Sequence, residues 1–237
     1  MHHDQKIRYA RNISLPEIGE IGQERLLNSS VLVVGAGGLG SPLLAYLASS
    51  GIGRIGVVDH DKVALSNLQR QLIHETDDIG RKKVDSAKDA LSYLNPDIEI
   101  ETYDYKLSSE NAEERISTYA IVAVGCDNFE TRFIVNQACF KRHKTLVSAA
   151  IIGFQGQLYT FKPYLGEKHP CYQCLCPELP PPDATPKCSD SGVLGSLGGI
   201  IGSMQATEII KEILDLGQSL SGSMITYNAL TNDMKKL

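Results

Sequence analysis

The chain has 237 residues, 42% of them hydrophobic, and carries a formal charge of −5 with a pI near 5.7. That length can bury a sizeable core, and an acidic balance without a long Lys/Arg run or basic stripe gives no sign of a nucleic-acid surface. The amino terminus has no apolar signal-type segment and no apolar stretch reaches the roughly 18 residues of a membrane span, so a cytoplasmic protein that meets neither membrane nor nucleic acid is expected.

A polar helix opens the chain. Short β-branched runs then alternate with helical stretches: "VLVV" at Val31, "RIGVVD" at Arg54, "IEIETYD" at Ile98, "AIVAV" at Ala120 and "TLVSAA" at Thr145. This alternation predicts an α/β fold, a Rossmann-like, doubly wound, mostly parallel sheet. The helix after Gly80 places Val84, Ala87, Leu91 and Leu94 on one stripe, which leaves Lys82, Lys83 and Lys88 mostly on its other sides. "GFQGQLYTFKP", Gly153 to Pro163, alternates like a strand with one wet face. A Cys- and Pro-rich crossover loop follows, too long and too aperiodic to be a plain connection. A Gly-studded helix, "GVLGSLGGIIGSMQATEIIKEIL", and a strand near "SMITYNAL" close the chain as an antiparallel extension. One domain over 1–237 is expected, divided into an N-terminal helical arm (1–28), a nucleotide-binding core (29–150) and a closing part (151–237).

The first strand runs into G-x-G-x-x-G at Gly35, Gly37 and Gly40, and the next ends in Asp59. Glycines here let backbone amides approach a phosphate, the following helix adds its positive end, and a carboxylate about twenty residues on suits ribose hydroxyls. The fingerprint therefore points to adenosine plus phosphate and leaves NAD and ATP open. Residues outside it separate the two. Asn67, Gln69, Arg70 and Lys83 can converge on more charge than the two-phosphate bridge of NAD carries. Asp127, after the "AIVAV" strand, would repel phosphate unless a divalent cation, typically Mg²⁺, lay between them. Surface ion pairs and helix caps are the alternative for Arg70, Lys83 and Asp127.

With these residues assembled the chain resembles the MoeB/ThiF/HesA family of adenylyltransferases, related to the adenylation domains of ubiquitin-activating enzymes. The likeness runs in order through "RYARN", "VGAGGLGS", "DHDKVALSNLQRQ", "GRKKVDSA", "GCDNFETRFIVN", "PCYQC" and "CSDSGVLGSLGGIIGSMQATEIIK", nearly the whole chain. It implies an enzyme that uses ATP and Mg²⁺ to adenylate the C-terminal glycine carboxylate of a small ubiquitin-like sulfur carrier ending in Gly-Gly, for molybdopterin, thiamine or related thiolation chemistry. By resemblance Gly38 lies at the nucleotide, Asp59 holds ribose, Ser66, Asn67, Gln69, Arg70 and Lys83 line the phosphates, and Asp127 with Asn128 completes the Mg·ATP site. Arg11 matches an arginine that reaches the γ-phosphate of a neighbouring subunit, which implies a homodimer, and Arg132 matches a further residue of the site. No general base is needed, because a glycine carboxylate is already ionised at neutral pH.

The cysteines fit unevenly. Six cysteines without a secretion signal read as thiols or metal ligands before disulfides. Cys171-x-x-Cys174 has zinc-ligand spacing, but two ligands are half a structural site. The family's second C-x-x-C has no counterpart after Cys188. The site is therefore absent, completed by Cys176 and Cys188, or cut short with the chain. Cys188 aligns with a cysteine that in some members carries the activated carrier or sulfur covalently; the alternative is a loop cysteine dispensable for adenylation. Cys126 and Cys139 read as core or edge thiols, and the histidines suggest no chemistry. With no room for a sulfurtransferase domain, sulfur is expected from a separate donor protein. Gly195 with Gly199, and Gly198 with Gly202, allow close backbone approach, either across a dimer or inside the fold. Adenylation of a modified tRNA base and a non-catalytic nucleotide-binding dimer are the competing readings.

Overall fold

The computed structural model describes residues 1–126, 128–179 and 192–237. Eight strands form one sheet in the order β3-β2-β1-β4-β5-β6-β7-β8. They are β1 (Ser30–Val34), β2 (Arg54–Val58), β3 (Glu99–Tyr103), β4 (Ile121–Val124), β5 (Thr145–Ile152), β6 (Gln155–Phe161), β7 (Met224–Asn228) and β8 (Asp233–Lys236). The first five are parallel neighbours and the last three add antiparallel. The expected Rossmann-like sheet and its antiparallel extension are both present. "DMKK" forms an eighth strand that its composition concealed, since all four residues are exposed and no buried apolar alternation marks it.

The strands alternate between two cores with the period of a pleated sheet. Val31, Val33, Ile55, Val57, Ile121, Ala123, Val147 and Ala149 face one core. There they meet helices α4 (Gly40–Ser49), α5 (Lys83–Leu94) and α9 (Gly195–Leu214). Leu32, Val34, Val58, Val122, Val124 and Leu146 face the other, against α6 (Ala112–Ser117) and α7 (Phe129–Lys141). Burial on both sides explains why these strands read as continuous apolar runs.

The arm comprises α1 (His3–Arg8), α2 (Ala10–Ile13) and α3 (Gly19–Leu27). Tyr9 anchors it: the ring is buried and its hydroxyl accepts from Asn95 Nδ2 at 2.8 Å. On α5 the expected apolar stripe holds for Val84, Ala87 and Leu91, whereas Leu94 is exposed. Lys83, off that stripe, is only 6% exposed, because the first turn of α5 points into the sheet's crevice and gives the ammonium a carboxylate there.

The glycines of α9 act inside the fold. A methyl at Gly198 would lie 2.6 Å from the Gly38 carbonyl oxygen, one at Gly202 2.6 Å from the Leu39 carbonyl oxygen, and one at Gly195 2.5 Å from the Gln69 carbonyl oxygen. Gly199 faces open space. The stripe thus seats the helix against the glycine turn. We expect Gly198→Ala to destabilise the chain by ~1–3 kcal/mol through overpacking. Gly199→Ala should stabilise it by ~0.5–1 kcal/mol through helix propensity, a contrast that chemical denaturation measures.

Candidate functional site

Strand order reverses between β1 and β4, and a crevice beyond the carboxyl ends of the strands is where an open sheet of this kind holds ligand. A cavity of about 570 Å³ lies there, within the range of small-molecule sites. Gly35, Gly37 and Gly38 form one wall. Gly35 leaves β1 at φ +105°, a conformation that favours glycine, and its amide donates to the Val58 carbonyl at 2.8 Å. Gly40 starts α4 so close to this turn that a methyl on it would meet the Gly35 carbonyl oxygen at 2.0 Å. Gly40 therefore shapes the nest without lining it.

Asp59 closes the turn from the neighbouring strand. Its Oδ2 accepts from the Ala36 amide at 2.8 Å and its Oδ1 from the Asp61 amide at 2.9 Å, while the carboxylate keeps a face on the cavity. Lys83 Nζ donates to Asp61 Oδ2 at 2.8 Å, and both side chains line the cavity. Burial alone would raise the Asp61 carboxyl, but the Lys83 hydrogen bond and charge, with a smaller contribution from His60, hold it below its ordinary value. Arg70 lays its stem over Gly38 and donates from Nη1 to the Ser66 carbonyl at 3.0 Å. Asn67 reaches the wall while its Oδ1 accepts from the Ala64 amide at 3.1 Å. Ser66 and Gln69 are exposed and lie outside the lining.

Across the cavity Asn128 caps α7, accepting from the Thr131 amide at 2.8 Å. Arg132 is buried beside it and donates to Ser148 Oγ at 2.9 Å and to the Cys126 and Ala149 carbonyls at 2.7 Å each. It ties the end of β4 to β5 and leaves its charge facing the cavity. Cys126 packs at the edge of the second core where β4 ends and also lines the wall, and Cys139 is the buried core thiol, whose pKa burial pushes up, so both are the core or edge thiols expected. Asp127 and Cys188 lie outside the described residues. Arg11 sits exposed on α2, away from the cavity wall.

His74 and Gln71 escaped sequence reasoning. His74 is buried behind the glycine turn against the Ala36 carbonyl, and Gln71 lines the cavity with a buried Oε1 that has no hydrogen-bond partner among the described residues. Neither has a legible spacing, since the partner of His74 is a main-chain carbonyl 38 positions away.

Donors facing the cavity are hard oxygens, Asp59, Asp61, Asn67 and Asn128, interleaved with Arg70, Lys83 and Arg132. That chemistry fits Mg²⁺ bound together with phosphates better than a soft metal. The C-x-x-C pair is elsewhere, at the short helix α8 (Tyr172–Leu175). Its sulfurs are 3.7 Å apart, close to the edge of a tetrahedron with zinc–sulfur bonds of ~2.3 Å. Among the described residues no third His, Cys or carboxylate joins them. They fit two corners of a zinc site and no more. Burial alone would raise the Cys171 thiol, but hydrogen bonds from the Cys174 and Gln173 backbone and from Asn136 hold it down.

A family model described as the ThiF family matches residues 9–237. The chain is 47% identical over 232 residues to a sulfur carrier protein adenylyltransferase of Thermus thermophilus, covering 97% of this chain and 86% of that protein. It is 44% identical over 223 residues to the SAMP-activating enzyme E1 of Haloferax volcanii, covering 94% and 81%. Identity to the adenylyltransferase and sulfurtransferase MOCS3 of Mus musculus is 43% over 237 residues, and the chain spans only 51% of that longer relative. Among solved structures, E. coli MccB with ATP superposes with a TM-score of 0.81 at 20% identity, over 97% of this chain and 71% of that one. PaaA superposes at 0.83 and 22%, over 100% and 74%. At such identity these two speak for the fold. Among the described residues no helix is long and apolar enough to cross a membrane.

Lys83→Met should release the Asp61 carboxyl toward its ordinary value. A carboxyl held low stabilises the fold above its unfolded-state pKa, and that stabilisation disappears as pH falls through the folded value. The variant should therefore lose part of the wild-type drop in stability below about pH 4, read by denaturant midpoints across an acid series.

Proposed function

The chain belongs to the ThiF family, and on that premise we propose that it is an ATP-dependent adenylyltransferase activating the C-terminal glycine carboxylate of a ubiquitin-like sulfur carrier. The observation that carries this reading is the convergence of the glycine turn, Asp59, Arg70 and Lys83 on one cavity at the sheet's switch point. The carrier's terminal carboxylate attacks the α-phosphorus, an acyl adenylate forms and pyrophosphate leaves. Substitution at phosphorus asks the protein mainly for positioning and charge stabilisation. The Gly37 and Gly38 amides with Arg70 and Lys83 supply that to the phosphates, and Asp59 is the acceptor for ribose. Asn128 lines the opposite side, and Asp127, its neighbour in sequence, would hold Mg²⁺. A cation held there would supply positive charge to the leaving pyrophosphate.

Arg11 is exposed on the arm and does not line the cavity of its own subunit. This supports its action on the phosphates of a second subunit in a homodimer. Sulfur is delivered by a separate donor protein. Pyrophosphate exchange into ATP that requires a carrier ending in Gly-Gly tests the whole reading, and exchange with no such carrier of the host sinks it. Arg70→Ala and Asp127→Ala are each expected to lower exchange by about 100-fold or more. Cys188→Ala should leave exchange intact; its loss in a folded variant would show Cys188 to be needed before sulfur chemistry begins.

The Cys171–Cys174 pair is the remaining proposal for metal. Stoichiometric zinc in freshly purified protein, lost in Cys171→Ser, would assign it, whereas a content near zero removes it.

A further inference from the structure

His74 lies behind the glycine turn, with Nε2 2.9 Å from the Ala36 carbonyl oxygen and Nδ1 2.7 Å from Ser86 Oγ. Ser86 Oγ donates onward to Asp78 Oδ2 at 2.7 Å. A carbonyl and an ionised carboxylate can only accept, so hydrogens must enter this buried chain from its middle. Its three links need three hydrogens. Ser86 brings one and a neutral imidazole one, which leaves one link bare. Asp78 does not hold the third. Burial would raise its carboxyl, but bonds from Ser86, the Glu75 amide and Arg81 outweigh that and keep it ionised. Filling all three links therefore requires His74 as imidazolium, donating from both ring nitrogens.

With a neutral ring, the charge-assisted Ser86–Asp78 bond is the one retained. Nδ1 then keeps its hydrogen for Ser86, and the Nε2 lone pair faces the Ala36 carbonyl. Deprotonation thus removes one of the hydrogen bonds that hold the glycine turn, the one on the Ala36 carbonyl. The charges around the ring are Lys83 on α5, which opposes protonation, and Asp78 and Asp59, which favour it; Arg81 is tied to Asp78 and Asp89. Burial leads the balance and holds the ring below its usual pKa. An anion seated against Gly37, Gly38 and Lys83 offsets the Lys83 charge and adds negative potential one peptide from the ring.

We propose that His74 is a positioning residue of this cradle: it takes up a proton from solvent as polyphosphate enters, and the imidazolium then fastens the Ala36 carbonyl and with it the turn whose amides meet the anion. The inference rests on the nucleotide reading above. Calorimetric titration of ATP into the full chain, in two buffers of equal neutral pH and different ionisation enthalpy, reads the protons taken up. Comparison with His74→Gln cancels those exchanged by ATP itself, because the glutamine amide keeps a donor for Ala36 but does not titrate. Wild type should take up a fraction of a proton that His74→Gln does not, and ATP affinity should rise on acidification in wild type only. His74→Leu, with no donor, should bind ATP about tenfold more weakly, as expected when one hydrogen bond is removed. Equal uptake by wild type and His74→Gln overturns the proposal.

If ATP does not bind at all, the nucleotide reading fails, and ring-nitrogen NMR of the free chain decides the fate of His74. Both nitrogens protonated at acid pH, giving way to the Nδ1–H neutral form, supports the proton-dependent fastening. A neutral Nε2–H ring throughout overturns it.

Discussion

The Asp59 carboxylate reaches from the end of one central strand to the Ala36 amide at the end of the next, and the site is organised around that bond. Without it the turn after β1 would carry a free buried amide, and the amides of Gly37 and Gly38 would have no fixed direction. A buried donor left unmade costs about 1–3 kcal/mol, more than a typical net hydrogen bond contributes. The same carboxylate fixes the Asp61 amide, and Asp61 in turn engages Lys83. One acidic side chain thus sets the glycine turn, the next loop and the cavity's buried ammonium in a common frame.

Close backbone packing supports that frame from behind. α9 can press against the glycine turn because Gly195, Gly198 and Gly202 present no Cβ there, and α4 can start beside Gly35 because Gly40 has none. On the far wall Arg132 binds the end of β4 to β5 through two carbonyls and a hydroxyl. The cavity is therefore rigid on both sides, with cationic groups already placed. Phosphoryl chemistry benefits from this, since preorganised charge needs little rearrangement as the reaction proceeds.

Positions whose role is local were readable along the chain. The strand runs at Val31, Arg54 and Ala120 appear as written, since burial on both faces demands unbroken apolar residues. The glycine spacing announced the tight strand-to-helix turn at the end of β1. Lys83 falls on the wrong side of its helix in the apolar pattern because periodicity records where apolar residues go, and cannot foresee an ammonium drawn inward by Asp61. His74 and Gln71 were silent for a related reason: His74 meets a main-chain carbonyl and a hydroxyl from distant segments, and Gln71 lines the cavity with an oxygen that has no partner among the described residues.

The amino-acid sequence by itself determined the α/β class, the glycine turn after the first strand and, through the ordered segments from "RYARN" to "MQATEIIK", the family. Those properties depend on residue type at fixed short spacing. Only the tertiary structure decided that the α9 glycines pack inward, that Ser66 and Gln69 stand off the cavity while Arg70 and Lys83 line it, and that a buried Asp78–Ser86–His74 chain ends on the glycine turn. Each depends on which backbone atoms from distant segments come within hydrogen-bonding or contact distance, and that is fixed by packing rather than by residue type.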